Sequence, residues 1–256
     1  MKPVVHLLYC LADDELILGH RNAEWTGIAP ILEEDIAFSS MAQDEIGHAL
    51  TYYRLLNDLG ESDPDTLAFR RDADAFRCAH LVEWPREDWA FSIVRQFLYD
   101  AAESVRLAAL TGSSYTPLAH AARKLAGEEK YHFMHGRAWV ARLGAAPDES
   151  RARMQAALDR AFPLALGLFE SSEGEGEIAA QGLQPPEAEL RARWLALVAP
   201  IMHDAELRAP LVAANGGWQP TVPASEGGRA GRHTEHLVRL LEDMQLVYRS
   251  DPGAEW

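Results

Sequence analysis

Apolar residues recur every three or four positions along most of this chain, which is the spacing of an amphipathic α-helix. Gly60 and Gly144 follow two of these periodic stretches and mark helix ends. The pattern predicts four long helices, at residues 4–24, 30–59, 87–111 and 116–143. Three further helices are predicted near residues 148–171, 186–208 and 233–249. No stretch makes a convincing strand, and the sequence therefore predicts an all-α fold.

The breaks between the predicted helices divide the first four into two hairpins. Residues 25–30 and 111–117 are rich in helix-breaking residues and separate the helices within each hairpin. A longer polar connector, 61–84, joins the hairpins, and Asp63-Pro64-Asp65 within it signals a helix start. Two hairpins joined by one crossover form a recognised variant of the four-helix bundle. We expect a single domain over residues 1–256, with a bundle core at about 4–143 and accessory helices at about 148–249.

Composition narrows the classes of partner. The chain has 256 residues, a formal net charge of −15 and 48% hydrophobic residues. Nucleic acid and anionic membrane surfaces need a basic face, so we expect no contact with either. The only two cysteines, Cys10 and Cys78, are far apart and predict neither a disulfide framework nor a zinc site. The chain shows no signal peptide and no apolar run of about 20 residues, so we expect a cytoplasmic protein.

Two short motifs carry the candidate chemistry. Glu45-Ile-Gly-His48 and Glu129-Lys-Tyr-His132 are both Glu-x-x-His, and each lies within a predicted long helix. Residues three apart on a helix are neighbours on one face. Each motif can therefore direct one carboxylate and one imidazole at the same point. One such motif alone is a weak signal, but two in matching positions of two hairpins are much less expected by chance.

Each motif has a matching acid on the preceding helix. Glu15 lies 30 residues before Glu45, and Asp100 lies 29 residues before Glu129, with a turn near the middle of each interval. Residues equidistant from the turn of an antiparallel hairpin lie at the same height, here roughly 22 Å from the turn. A carboxylate from each of two helices plus Glu-x-x-His from two others is the di-metal site of ferritin-like bundles. The predicted ligands are Glu15, Glu45, His48, Asp100, Glu129 and His132.

This ligand set favours two iron ions, with manganese as the alternative, because carboxylates and imidazoles suit these metals better than a thiolate-based zinc site does. Glu103 lies one turn after Asp100 and can replace or join it as a ligand. Asp44 and Glu128 directly precede the two motif glutamates. Metal-bound histidines usually donate their second ring N–H to a carboxylate or carbonyl. We therefore expect Asp44 to orient His132, and Glu128 to orient His48, across the bundle.

With these residues identified, the chain resembles the A/C subunit family of the bacterial phenylacetyl-CoA ring 1,2-epoxidase, a multicomponent di-iron oxygenase. The stretches Glu24 to Ala37, Asp65 to Phe69 and His233 to Leu237, with the closing Trp256, look like the C-type member of that family. The segment Met41 to His48 departs from that pattern and resembles the catalytic A-type motif. In this family the di-iron site belongs to the A-type member, whereas C-type members are commonly structural partners that have often lost ligands.

The resemblance implies a subunit of a phenylacetate-degrading oxygenase, with an acyl-CoA substrate, an A-type partner and a reductase that supplies electrons. It also implies that the six predicted ligands hold iron, although the spacing of residues shows nothing of the substrate. A non-catalytic structural partner of the A-type subunit is the first alternative, and a ferritin-like iron oxidation protein is the second. We expect a dimer or a heteromer, whereas iron storage would require a self-assembling cage.

Overall fold

A computed structural model describes residues 2–172 and 174–251, which excludes the closing Trp256. The helices are α1 Pro3–Ala23, α2 Leu32–Asp58, α3 Pro64–Phe69, α4 His80–Glu83, α5 Trp89–Leu110, α6 Thr116–Gly144, α7 Asp148–Leu166, α8 Glu175–Ala180, α9 Glu187–Asp204 and α10 Glu235–Ser250. Short 3₁₀ turns occur at Ala73–Ala75, Gly167–Phe169 and Gly228–Ala230. The prediction of an all-α, ferritin-like fold is confirmed.

Helices α1, α2, α5 and α6 form two long hairpins that pack together as the bundle. Local signals explain where they begin. Proline occupies the first turn of α1 and of α6, where its missing N–H costs nothing. The Asp88 side chain caps α5 by accepting a hydrogen bond of 2.9 Å from the Phe91 amide. The observed ends of these four helices lie close to the predicted ends.

The remaining helices cover only part of the bundle. Helices α7 and α9 pack on α5 and α6, α4 and α8 pack on α1, and α10 packs beside α3 and α4. Trp194 of α9 is fully buried, and its Nε1–H donates to the Leu98 carbonyl of α5. This contact ties an accessory helix to the helix that carries Asp100.

The structure adds elements that the sequence pattern did not predict. Strands β1 Leu211–Ala214 and β2 Gly217–Pro220 form an antiparallel hairpin around Asn215-Gly216. Both turn residues have positive φ, 53° and 75°, and Asn-Gly favours this turn type. The sequence pattern predicted no strand, and this hairpin corrects that expectation. The helix predicted near 148–171 ends earlier, and α8 was not predicted. In the described part of the chain, no helix combines the length and apolarity that a bilayer crossing needs.

Candidate metal centre

Six side chains from the four bundle helices meet in the interior of the bundle. All six are buried, with at most 4% of any residue exposed. Each hairpin contributes three of them, as the matched spacing from the turns predicts. The six residues are Glu15 on α1, Glu45 and His48 on α2, Asp100 on α5, and Glu129 and His132 on α6.

The ligand atoms fall into two adjoining groups. In each group, one atom from every residue lies within 4.8 Å of the others. The first group consists of Glu15, Glu45, His48 and Glu129, and the second consists of Glu45, Asp100 and His132. Glu45 belongs to both groups, as a residue placed between two metal positions must. Glu103 belongs to neither group, whereas Asp100 belongs to the second.

The two imidazoles face each other across the shared carboxylates, with ring centroids 6.3 Å apart. His48 Nδ1 lies 3.5 Å from Glu15 Oε2, 3.6 Å from Glu45 Oε2 and 3.4 Å from Glu129 Oε1. His132 Nδ1 lies 3.1 Å from Glu129 Oε1 and 3.6 Å from Glu45 Oε1. Glu129 therefore also contacts both histidines, which places Glu45 and Glu129 between the two groups.

The second nitrogen of each histidine contacts a carboxylate on the opposite motif helix. His48 Nε2 lies 2.8 Å from Glu128 Oε2, and His132 Nε2 lies 3.2 Å from Asp44 Oδ2. Both acids are partly exposed, so each imidazole connects the interior to the surface between α2 and α6. When Nε2–H donates to these carboxylates, the Nδ1 lone pairs are directed into the cluster, as metal ligation requires.

Unpaired polar atoms show that the cluster suits a cation. Buried polar atoms in proteins are nearly always hydrogen bonded, so a concentration of unpaired ones needs an explanation. Among the described residues, five atoms of the cluster are buried without a hydrogen-bond partner: Glu15 Oε2, Glu45 Oε2, His48 Nδ1, Asp100 Oδ2 and Glu129 Oε2. Four carboxylates and two imidazoles in two adjoining groups, with several ligand atoms unpaired, fit a pair of divalent ions.

The electrostatics of the cluster point the same way. Burial and the charge of Glu45 raise the pKa of Glu15 and of Glu129, and burial with the charge of Glu129 raises the pKa of Asp100. Burial acts to lower the pKa of His48, but the neighbouring carboxylates of Glu15 and Glu45 raise it to about 12. Without metal, the site therefore holds protons where divalent cations would bind.

Glu103 lies close to the cluster but in a different environment. Burial raises its pKa to about 8, which the charge of Arg106 partly counteracts. Its Oε1 atom is buried and has no hydrogen-bond partner. The hydroxyl group of Tyr52, one turn after His48, is also buried and unpaired. Both side chains lie near the ligands, since the charge of Glu129 acts on the pKa of each.

Three buried polar residues behind the cluster were missed by the sequence patterns. Gln96 donates to both Asp100 and Glu45, Asn22 donates to Gln96, and Arg95 donates to Asn22. The only sequence signal was that Gln96 precedes Asp100 by one helical turn. A glutamine at that spacing is usually a surface residue, so the pattern alone gave no reason to select it.

A separate set of potential ligands, outside both groups of the cluster, is Cys78, Glu83 and His233. Here the polar atoms already have partners. His233 Nδ1 lies 2.6 Å from Glu83 Oε1, and its Nε2 lies 3.0 Å from the Phe76 carbonyl oxygen. Glu83 Oε2 accepts from the backbone and side chain of Thr234, which caps α10. This group ties α4 to the start of α10, and its ligand atoms are engaged in hydrogen bonds that a metal ion would have to break.

A helical bundle with paired Glu-x-x-His motifs and two matching acids defines the class of ferritin-like di-metal carboxylate proteins. Comparison with known proteins specifies the family. The model of the phenylacetic acid catabolic protein family matches residues 1–256, and the chain belongs to that family. It is 35% identical over 247 residues to the C subunit of the 1,2-phenylacetyl-CoA epoxidase of Escherichia coli (strain K12), with 96% of each chain covered. It is 27% identical over 172 residues to the A subunit of that epoxidase, which covers 67% of this chain and 55% of the relative.

Proposed function

We propose that this protein is a metal-binding subunit of a multicomponent phenylacetyl-CoA epoxidase. The observation that carries the proposal is the buried cluster, in which both Glu-x-x-His motifs and both matching acids converge with unpaired ligand atoms. A chain with a purely structural role has no evident need for four carboxylates in its core, because burying unpaired charge is costly. The similarity to the C and A subunits of the Escherichia coli epoxidase supports the substrate and the setting.

The contacts suggest how the ligands divide between two ions. Glu15 and His48 would serve one ion, and Asp100 and His132 would serve the other. Glu45 and Glu129 lie between the groups and would bridge them. Two iron ions at this position supply the activation of dioxygen that an epoxidation requires, and manganese suits the same ligands. The protein's own contribution is to fix the ligands, exclude water and hold protons on the cluster until metal binds.

The proposed complex includes a reductase, an acyl-CoA substrate and an A-type subunit. Its support is that two different subunits of one epoxidase are both relatives of this chain. The burial of every ligand gives a second reason to expect partners, since a reductant must deliver electrons to a cluster enclosed within the bundle.

Metal content per chain tests the proposal. After anaerobic reconstitution with iron(II), we expect about two irons per wild-type chain. Glu45→Gln preserves the size of the side chain but removes a carboxylate shared by both groups, so this variant should lose both ions. Glu33→Gln changes an exposed acid near the start of α2 and serves as the matched control. A wild-type content no higher than that of Glu45→Gln would contradict the proposal.

The alternative is a non-catalytic partner of the A-type subunit, in which the cluster is only architectural. It is favoured by exposed apolar side chains on α2 and α6, which suit contact with another protein. They are Leu32, Ile36, Ile46 and Leu50 on α2 and Tyr131 and Met134 on α6. Turnover by the assembled complex separates the two candidates. If a complex containing Glu45→Gln retains full activity, this chain holds its partner in place; if activity falls with metal content, this chain takes part in the reaction.

A further inference from the structure

The side chain of Gln96 links two of the proposed ligands from behind. Its Nε2 atom donates to Asp100 Oδ1 at 2.6 Å and to Glu45 Oε1 at 3.3 Å. Gln96 and both carboxylates are completely buried. One amide group therefore uses both of its N–H bonds on carboxylates from two different helices, and no water competes for them.

A chain of donors fixes the orientation of this amide. Asn22 Nδ2 donates to Gln96 Oε1 at 2.8 Å, and Arg95 donates through one guanidinium nitrogen to Asn22 Oδ1 at 3.3 Å. Another guanidinium nitrogen of Arg95 donates to the Trp84 carbonyl at 2.7 Å. Every hydrogen bond from Arg95 to the ligands runs in the same direction. If the Gln96 amide were flipped, its oxygen would face two carboxylates and its NH₂ group would face another NH₂ group.

We call this chain of hydrogen bonds from Arg95 through Asn22 to Gln96 the relay. Arg95 explains its direction. Its side chain is fully buried, and its described hydrogen bonds go to a carbonyl and an amide rather than to a carboxylate. A guanidinium group has only donors, so Asn22 must turn its oxygen towards Arg95 and its NH₂ group towards Gln96. The acids whose charge acts on Arg95 are Glu24 and Glu87. The two amides continue the hydrogen bonds to Glu45 and Asp100, and aligned hydrogen bonds in a low-dielectric interior strengthen one another.

We propose that Gln96 is a positioning residue for one of the two metal ions, and that Asn22 and Arg95 hold Gln96 in its working orientation. The inference rests on the proposed metal-binding function. It also predicts an asymmetry that the ligand set alone does not. The relay reaches Asp100, which belongs to the second group alone, and Oε1 of the shared Glu45, the oxygen that lies near His132 of the second group. Its described hydrogen bonds do not reach Glu15 or His48 of the first group.

The test is an anaerobic titration with manganese(II), followed by calorimetry and by electron paramagnetic resonance. In wild-type protein we expect two ions and the spectrum of a magnetically coupled pair. Gln96→Leu keeps the volume of the side chain but removes both donors. Loss of such outer partners typically weakens metal binding by about 10- to 100-fold. We expect that loss for one ion, little change for the other, and a six-line signal from a single isolated manganese.

A second variant tests the relay without touching a ligand. Asn22→Asp keeps the size of the side chain and the acceptor for Arg95 but cannot donate to Gln96. We expect this variant to bind the same ion about tenfold more weakly. Ser92→Ala is the matched control, since Ser92 is a buried polar residue one turn before Gln96 that bonds to Trp25 and the Arg86 carbonyl. It should lower stability and leave both ions bound.

Three outcomes would overturn the inference, and they are distinguishable. Wild-type protein that binds no manganese would overturn the proposed function and the positioning role with it. Wild-type binding of two ions with unchanged affinity in Gln96→Leu would overturn the positioning role alone. If Gln96→Leu, Asn22→Asp and Ser92→Ala all lowered the affinity for both ions equally, these residues would only support the packing of the bundle.

Discussion

His48 and His132 carry protons that a metal ion must displace. Burial opposes their charged forms, but the carboxylates around them prevail and raise the pKa of His48 to about 12 and of His132 to about 10. Both imidazoles are therefore protonated at neutral pH in the metal-free protein. Metal ligation requires the neutral ring, so binding of two ions should release at least two protons. The affinity for metal should therefore rise with pH, by about tenfold per pH unit for each proton released.

Calorimetry in buffers of different ionisation enthalpy measures this release. Manganese(II) binding at about pH 6, 7 and 8 should give heats that depend on the buffer and affinities that increase with pH. Identical heats in all buffers, with affinity independent of pH, would show that metal binding releases no protons from the histidines.

Asp44 and Glu128 give a second prediction at the level of single residues. Each contacts the outer nitrogen of one histidine and is itself partly exposed. Asp44→Asn keeps the shape but removes the charge that fixes the ring of His132, so metal affinity should fall by about 10-fold or more. Iron(II) titration of this variant beside Glu33→Gln, whose acid is exposed and near the start of α2, checks the effect. Unchanged affinity in Asp44→Asn would remove the orienting role.

At the level of helices, the close approach of α5 and α6 depends on Gly136. A Cβ atom at this position would lie 3.0 Å from Phe97 Cα and 3.3 Å from Phe97 N, so it would push against the backbone of α5. Gly136 is one turn after His132, and Phe97 follows Gln96. Gly136→Ala should therefore lower the free energy of unfolding by about 1–3 kcal/mol, since a tightly packed backbone cannot yield.

Gly127 is the matched control on the same helix. A Cβ atom there would meet nothing within 4 Å, and the position is exposed. Gly127→Ala should stabilise the protein by about 0.5–1 kcal/mol through helix propensity alone. Chemical denaturation of both variants measures the difference. If Gly136→Ala is as stable as Gly127→Ala, the contact between α5 and α6 is looser than the structure indicates.

The sequence predicted the four bundle helices and the convergence of the two Glu-x-x-His motifs, because both follow from the regular spacing of residues along a helix. The 3.6-residue repeat defined α1, α2, α5 and α6, and equal distances from the turns brought Glu15 level with Glu45. The β-hairpin that begins at Leu211 was harder to predict, because the alternation of apolar and polar residues in a four-residue strand is too short to distinguish it from a loop. Its Asn215-Gly216 turn was the one usable signal.

The relay from Arg95 to Gln96 was not predictable by these means. It depends on side chains from α1 and α5 that are neighbours only after the hairpins pack together, and helical spacing within one element says nothing of that packing. Polar residues are mostly exposed, so nothing in the sequence indicated that Asn22, Arg95 and Gln96 are buried. The carboxylates were found because their spacing repeats between the hairpins, whereas the relay occurs on one side of the cluster only.

At the scale of the whole molecule, the accessory helices leave one side of the bundle uncovered. In the described part of the chain, most of them pack on α1, α5 and part of α6, and α3 packs on α2. The outward faces of α2 and α6 carry exposed apolar side chains. These residues are Leu32, Ile36, Ile46 and Leu50 on α2 with Tyr131 and Met134 on α6, and we call them the α2–α6 face. Asp44 and Glu128 are partly exposed where they contact the two histidines between α2 and α6. A partner that covers both helices would therefore come near the outer nitrogens of both proposed ligand histidines.

We expect the A-type subunit to cover the α2–α6 face, because an exposed apolar surface of this kind marks a protein contact. Leu32 is 72% exposed and Tyr131 is 67% exposed, so Leu32→Glu and Tyr131→Glu should leave the fold intact. Each should weaken association with a co-expressed A-type subunit by about 10-fold or more, as loss of a buried anchor does. Leu246→Glu is the matched control, since Leu246 is 68% exposed on α10, away from this face. Light scattering and calorimetry measure assembly, and equal association of all three variants would place the partner elsewhere. A wild-type homodimer that Leu32→Glu breaks would instead assign the α2–α6 face to a second copy of this chain.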